Sequence, residues 1–134
     1  MFDCITLILT LHHSNNVLEL INECYRILND DGIILLIEHD IWHDSDNMII
    51  DLQHRIYTHV NNEPYTEEGN YFNFLEWDII FSKCNMTAVY GDRITDDISF
   101  NMRYDTQFIG IYKKILIIKY KLFKNVLKCL ITII

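Results

Sequence analysis

Two stretches decide the reading: Phe2-Asp3-Cys4-Ile5-Thr6-Leu7-Ile8-Leu9-Thr10-Leu11-His12-His13, and Gly32-Ile33-Ile34-Leu35-Leu36-Ile37-Glu38-His39-Asp40. Each is an apolar run halted by titratable residues. A strand with one wet face alternates apolar and polar residues. An unbroken run predicts a strand covered on both faces, as in a parallel sheet clothed by helices. Cys4 to Leu11 is the first such strand and Ile33 to Ile37 the second. Between them, Val17, Leu20, Ile21, Cys24, Ile27 and Leu28 recur at steps of three and four and make one apolar helical face. Ser14 or Asn15 is the expected cap of that helix. Asn29-Asp30-Asp31-Gly32 has turn chemistry, with Gly32 free to take positive φ. A strand–helix–strand unit with a right-handed crossover lays its strands side by side and parallel. His12, His13, Glu38, His39 and Asp40 then share the edge where the strands end, which is where ligands bind in open α/β sheets.

Working outward, Asp44 or Ser45 opens a second helix with the stripe Ile49, Leu52, Ile56 and Val60. Asn61 to Asn73 is polar, holds the only proline, Pro64, and reads as a loop. Phe74 to Lys83 is a third helix that offers Leu75, Ile79 and Phe81 for burial. Asn85 is suited to end it in the left-handed region. Thr87 to Ile94 and Met102 to Tyr112 are strands, and the short polar link Thr95 to Phe100 makes them antiparallel. This order is α/β. From Ile115 to Ile134 the pattern changes: Leu116, Tyr120, Phe123, Leu127, Leu130 and Ile134 fall on one helical face, with Lys121, Lys124 and Lys128 opposite. The chain thus divides into an α/β domain over residues 1–114 and an amphipathic helical tail over 115–134. The tail is expected to dock on a protein partner or to be an extension without a role, with contact at a membrane surface as the weaker reading. Its lysines oppose spanning, since each charge at mid-bilayer costs ~2.5 kcal/mol or more.

Composition narrows the function classes. A net charge of −8 argues against a general phosphate-binding surface, though not against a local nucleotide contact, so no strong nucleic-acid signal is present. The four cysteines, Cys4, Cys24, Cys84 and Cys129, form no CxxC pair. They read as reduced, mostly buried thiols of a cytosolic protein. No signal peptide is visible, and a cytoplasmic location is expected.

The motifs resemble a known family. Phe2-Asp3-Cys4-Ile5 followed by Leu11-His12-His13 looks like the fourth strand of class I S-adenosylmethionine-dependent methyltransferases. Asn22-Glu23-Cys24-Tyr25-Arg26-Ile27-Leu28 with Gly32 is similar to the helix and turn that precede the fifth strand. Leu75-Glu76-Trp77 and Ser82-Lys83-Cys84-Asn85-Met86 resemble the helix before the sixth, and Met102 to Tyr112 would be the antiparallel seventh. The resemblance covers residues 2 to 113. It implies the C-terminal half of a Rossmann-like methyltransferase sheet. The family's glycine-rich turn and the acidic residue that holds the ribose are absent, so this chain is expected to be a fragment, inactive alone, whose partner supplies the missing strands.

The resemblance also implies roles. Ile8, Leu9 and Thr10 would line the methionine side of S-adenosylmethionine. His12, His13, His39 and Asp40 would face a small-molecule methyl acceptor, with His39 beside Asp40 as a base whose pKa the carboxylate could raise. The blander readings stand beside these: His12 and His13 as capping or loop residues, and His54 and His59 as solvated helix residues. Tyr65, Tyr71, Phe72, Phe74 and Trp77 read as core or lid packing. No HExxH or HxH spacing is present, and no metal is expected. The alternative to an enzyme is a non-catalytic α/β binding or regulatory module.

Overall fold

The computed structural model describes residues 1–63, 69–94 and 107–115. Its elements are β1 (Phe2–Ile8), a 3-10 turn (Leu11–His13), α1 (Val17–Ile27), β2 (Leu28–His39), α2 (Asp44–Val60), α3 (Phe74–Lys83), β3 (Met86–Ile94) and β4 (Gln107–Lys114). The strands form one sheet in the order β1-β2-β4-β3. β1 and β2 are parallel, from Cys4 opposite Ile33 to Ile8 opposite Ile37. β4 lies antiparallel to both β2 and β3 and separates them. The expected side-by-side, parallel placement of the two apolar runs is therefore present.

One face of the sheet carries the core. Leu7, Ile34, Leu36, Phe108 and Tyr112 pack with Ile21 and Cys24 of α1 and with Trp77 and Phe81 of α3. Tyr112 stacks on Phe81 with ring centroids 3.8 Å apart, and its hydroxyl donates to Asp78 Oδ1 at 2.6 Å. On the opposite face, Ile33, Leu35, Ile37, Ile109 and Ile111 are only half-buried. The expectation of strands covered on both faces fails most at β1, where Leu7 alone is buried. β1 is an edge strand among the described residues, so its apolar run reflects a strand with a free side.

Other differences have local causes. The 3-10 turn uses up Leu11 to His13, which delays the helix. Asn16, not Ser14 or Asn15, caps α1, accepting from the Glu19 amide at 3.2 Å. Asn29 to Gly32 form no separate turn. They belong to β2, and no glycine has positive φ. The extra residues are taken up in an irregularity: Phe2 pairs with Leu28, yet Cys4 pairs with Ile33. Gly32 is demanded instead by close approach, since a Cβ there would sit 2.8 Å from the Leu28 side chain. Asn85 does adopt the left-handed conformation, with φ 58°. In α2 only Ile50 is buried, while Leu52, Ile56 and Val60 are exposed. In α3, Trp77 and Phe81 are buried, and Leu75 and Ile79 are not. Cys24 and Cys84 are buried thiols and Cys4 is exposed; Cys129 lies outside the described residues. So do Pro64, Tyr65, the link Thr95 to Phe100, the expected strand start at Met102 and the tail from Leu116 onward. No helix among the described residues is long and apolar enough to cross a membrane.

Candidate active site at the strand ends

β1 and β2 end beside each other, and their polar exits build one buried cluster. After β1, Leu9 takes φ 47° and its amide donates to Ile37 O at 2.8 Å. That left-handed residue turns the chain across the end of β2 into the 3-10 turn. Such a conformation disfavours side chains other than glycine, so the surrounding bonds must hold it. Glu38, fully buried, supplies them. Its Oε1 accepts from the amides of Thr10 at 2.8 Å and Leu11 at 2.6 Å, and from His12 at 3.4 Å. Its Oε2 lies 2.6 Å from His12 Nδ1. Burial pushes the Glu38 carboxyl up, but the His12 ring together with the Leu11 and Thr10 amides outweighs burial and holds it below the usual carboxylate range.

His12 is 1% exposed, and its Nε2 has no hydrogen-bond partner. Around it gather His13 at 4.0 Å, His39 at 4.8 Å, His54 at 5.2 Å and Tyr71 at 5.7 Å between ring centroids. His13 is exposed and His54 half-buried. His54 Nδ1 meets the Tyr71 hydroxyl at 2.5 Å. Burial, then the neighbouring His12, His13 and His39 rings, lower His54 to about 4. Burial and His12 likewise lower His13. The roof comes from residues 69–73. Asn70 N donates to His12 O at 2.8 Å, and Asn70 Nδ2 donates to Ser14 O at 2.6 Å. Asp40 is also fully buried; its Oδ1 accepts from Phe74 N at 2.9 Å and its Oδ2 pairs with Arg93 Nε at 2.6 Å.

The structure thus brings together His12, His13 and His39, as expected, and places Asp40 at the same edge. It adds His54 and Tyr71 from distant elements. The carboxylate that holds an imidazole is Glu38 on His12, whereas Asp40 ties β2 to α3 and to β3. Ile8 and Thr10 are exposed at the end of β1 and Leu9 is half-buried.

A sequence profile described as a methyltransferase domain matches residues 1–36, which span β1, the 3-10 turn, α1 and most of β2. Among solved structures, a methyltransferase from Bacillus halodurans superposes with TM-score 0.62 at 12% identity, over 84% of this chain and 64% of that one. The fold matches part of a methyltransferase fold. A Methanosarcina mazei S-adenosylmethionine-dependent methyltransferase gives TM-score 0.58 at 17% identity, over 86% of this chain and 60% of its own. The Haloferax volcanii complex between the Trm112 methyltransferase activator and a methyltransferase gives 0.59 at 11%, over 83% and 53%. The chain therefore spans between about half and two thirds of these methyltransferases. No curated protein sequence matches it.

The fit of the methyltransferase cofactor is uneven. Ile8, Leu9 and Thr10, the residues expected to meet its methionine end, lie exposed or half-buried after β1. The glycines, at 32, 69, 91 and 110, are isolated, so no glycine-rich turn is present to let backbone amides approach a nucleoside.

Proposed function

We propose that this chain forms the acceptor side of an S-adenosylmethionine-dependent methyltransferase acting on a small molecule. The carrying observation is His12: buried at the carboxyl ends of two parallel strands, fixed through Nδ1 by Glu38, with Nε2 unpartnered. S-adenosylmethionine, when bound, supplies a methyl group on a positively charged sulfur. The chain's own part is to seat the acceptor and receive its proton. Glu38 sets the tautomer: with Nδ1–H donated to the carboxylate, Nε2 carries the lone pair. An acceptor hydroxyl or amine can then pass its proton to Nε2 as it attacks. Glu38 is a positioning residue, and His13, His39 and Tyr71 shape the acceptor pocket. The open side of β1 is where a protein partner bringing further strands would pair.

The test is co-expression of the chain with an N-terminal methyltransferase half that carries the glycine-rich turn, then calorimetric titration of the complex with S-adenosylmethionine and transfer of a tritiated methyl group to a small-molecule extract. Binding and transfer are expected of the complex and neither of the chain alone, with His12→Gln lowering turnover more than cofactor affinity. Absence of both binding and transfer by the complex at millimolar cofactor would refute the reading. The second reading, a non-catalytic α/β module, is favoured by the isolated glycines, and it would survive that result.

A further inference from the structure

The histidine cluster has a property that methyl transfer does not use. His12, His13 and His54 each offer an imidazole nitrogen, and these three atoms lie within 4.8 Å of one another. They come from two adjacent residues of the 3-10 turn and one from α2, so a single ion could be approached from two sides. We infer that His12, His13 and His54 form a site for a borderline divalent cation such as zinc. Three features converge. Imidazole is a favoured ligand of zinc, copper and nickel. His12 Nε2 is fully buried and without a partner, as a ligand atom awaiting a cation would be. The outer supports of a metal site are also present: Glu38 holds His12 through Nδ1 at 2.6 Å, and the Tyr71 hydroxyl holds His54 through Nδ1. Such partners orient ligating rings and raise their basicity.

Tetrahedral zinc at ~2.0–2.1 Å from nitrogen sets ligand atoms about 3.3 Å apart. Closing the present spread falls to the exposed His13, while Glu38 holds His12 and Tyr71 holds His54. Three protein ligands leave a fourth position open, as in catalytic rather than structural zinc sites. The inference is independent of methyl transfer. A cation and an acceptor's proton would compete for the same Nε2, so metal loading would suppress any transfer that relies on His12 as base.

The experiment is calorimetric titration of the full chain with zinc chloride at pH 7.5, after treatment with and removal of chelator. One zinc per chain is expected, with micromolar or tighter affinity. His13→Ala and His54→Ala should each weaken it at least tenfold, with far-ultraviolet circular dichroism unchanged. Cys4→Ser, at an exposed thiol, and His59→Ala, elsewhere on α2, should bind as the parent does. Lack of one-to-one binding by the parent overturns the inference, as does parent-like binding by His13→Ala or loss of binding in Cys4→Ser. Should His54→Ala fail to fold, the exposed His13 variant decides alone.

Discussion

Replacing Glu38 by glutamine tests whether the strand ends depend on one carboxylate. Glu38 makes two short backbone bonds, to Leu11 N at 2.6 Å and Thr10 N at 2.8 Å, and one to the His12 ring at 2.6 Å. Bonds to a charged group contribute about 1.5–3 kcal/mol each, neutral ones about 1. Glutamine keeps a carbonyl for the amides but makes each bond neutral, a loss of about 1 kcal/mol apiece. The His12 Nδ1–H bond likewise becomes neutral, a further loss of about 1 kcal/mol. The expected destabilisation of Glu38→Gln is therefore about 3 kcal/mol. With a urea slope of about 1–3 kcal/mol per molar, the unfolding midpoint should fall by about 1–3 M. The pH dependence follows from the lowered carboxyl pKa. A group held below its unfolded value stabilises fully above that unfolded value and loses the effect as pH falls through the folded one. The gap between parent and variant should thus be full at pH 7 and shrink only in acid, below the usual carboxylate range. A loss under about 1 kcal/mol at pH 7, with unchanged slope, would refute the assignment of the turn's rigidity to Glu38.

Three further outcomes are expected. In chelator, the His54 ring should stay neutral until about pH 4, read by nitrogen-detected NMR; since the unfolded ring protonates near its ordinary value, acidification below that value should destabilise the fold, and a His54 midpoint above pH 6 would contradict the burial seen here. Asn73 accepts from Glu76 N at 3.0 Å while Glu76 accepts from Asn73 N at 2.9 Å, so Asn73→Ala should cost about 1 kcal/mol in chemical denaturation, and a neutral result would argue against that cap. Gly110→Ala would bring a Cβ to 2.7 Å from the Tyr112 ring, which is pinned by Phe81 and Asp78, and should cost about 1–3 kcal/mol with a lowered melting temperature; an unchanged melting temperature would mean the ring yields freely.

The strand pair and the polar edge where it ends were legible because unbroken apolar runs have few structural solutions, and a helix between them dictates a parallel crossover. What sequence could not show was which side of each element finds a neighbour. The stripe Leu52, Ile56 and Val60 has helical spacing, yet no described element covers it. His54 looked solvated because α2 is polar around it, but Tyr71 and the 3-10 turn half-bury it. The weight carried by Glu38 escaped for a related reason. A carboxylate at a strand end can reach many donors, and only the fold selects Thr10, Leu11 and His12. The three clustered imidazoles follow no fixed spacing because they meet through tertiary packing, so ligand motifs within one element are silent about them.

The position of β4 bears on how the molecule is made. β2 and β3 are not hydrogen-bonded to each other, because β4 lies between them, and Ile33 meets Lys113 across 80 positions of chain. Contacts so remote in sequence form slowly, because a long loop must close before any bond rewards it. While the ribosome is still translating, β1, α1 and β2 can assemble as a unit, whereas β3 must wait with both flanks unsatisfied. Chaperone dependence of folding yield should therefore centre on the interval between release of β3 and arrival of β4.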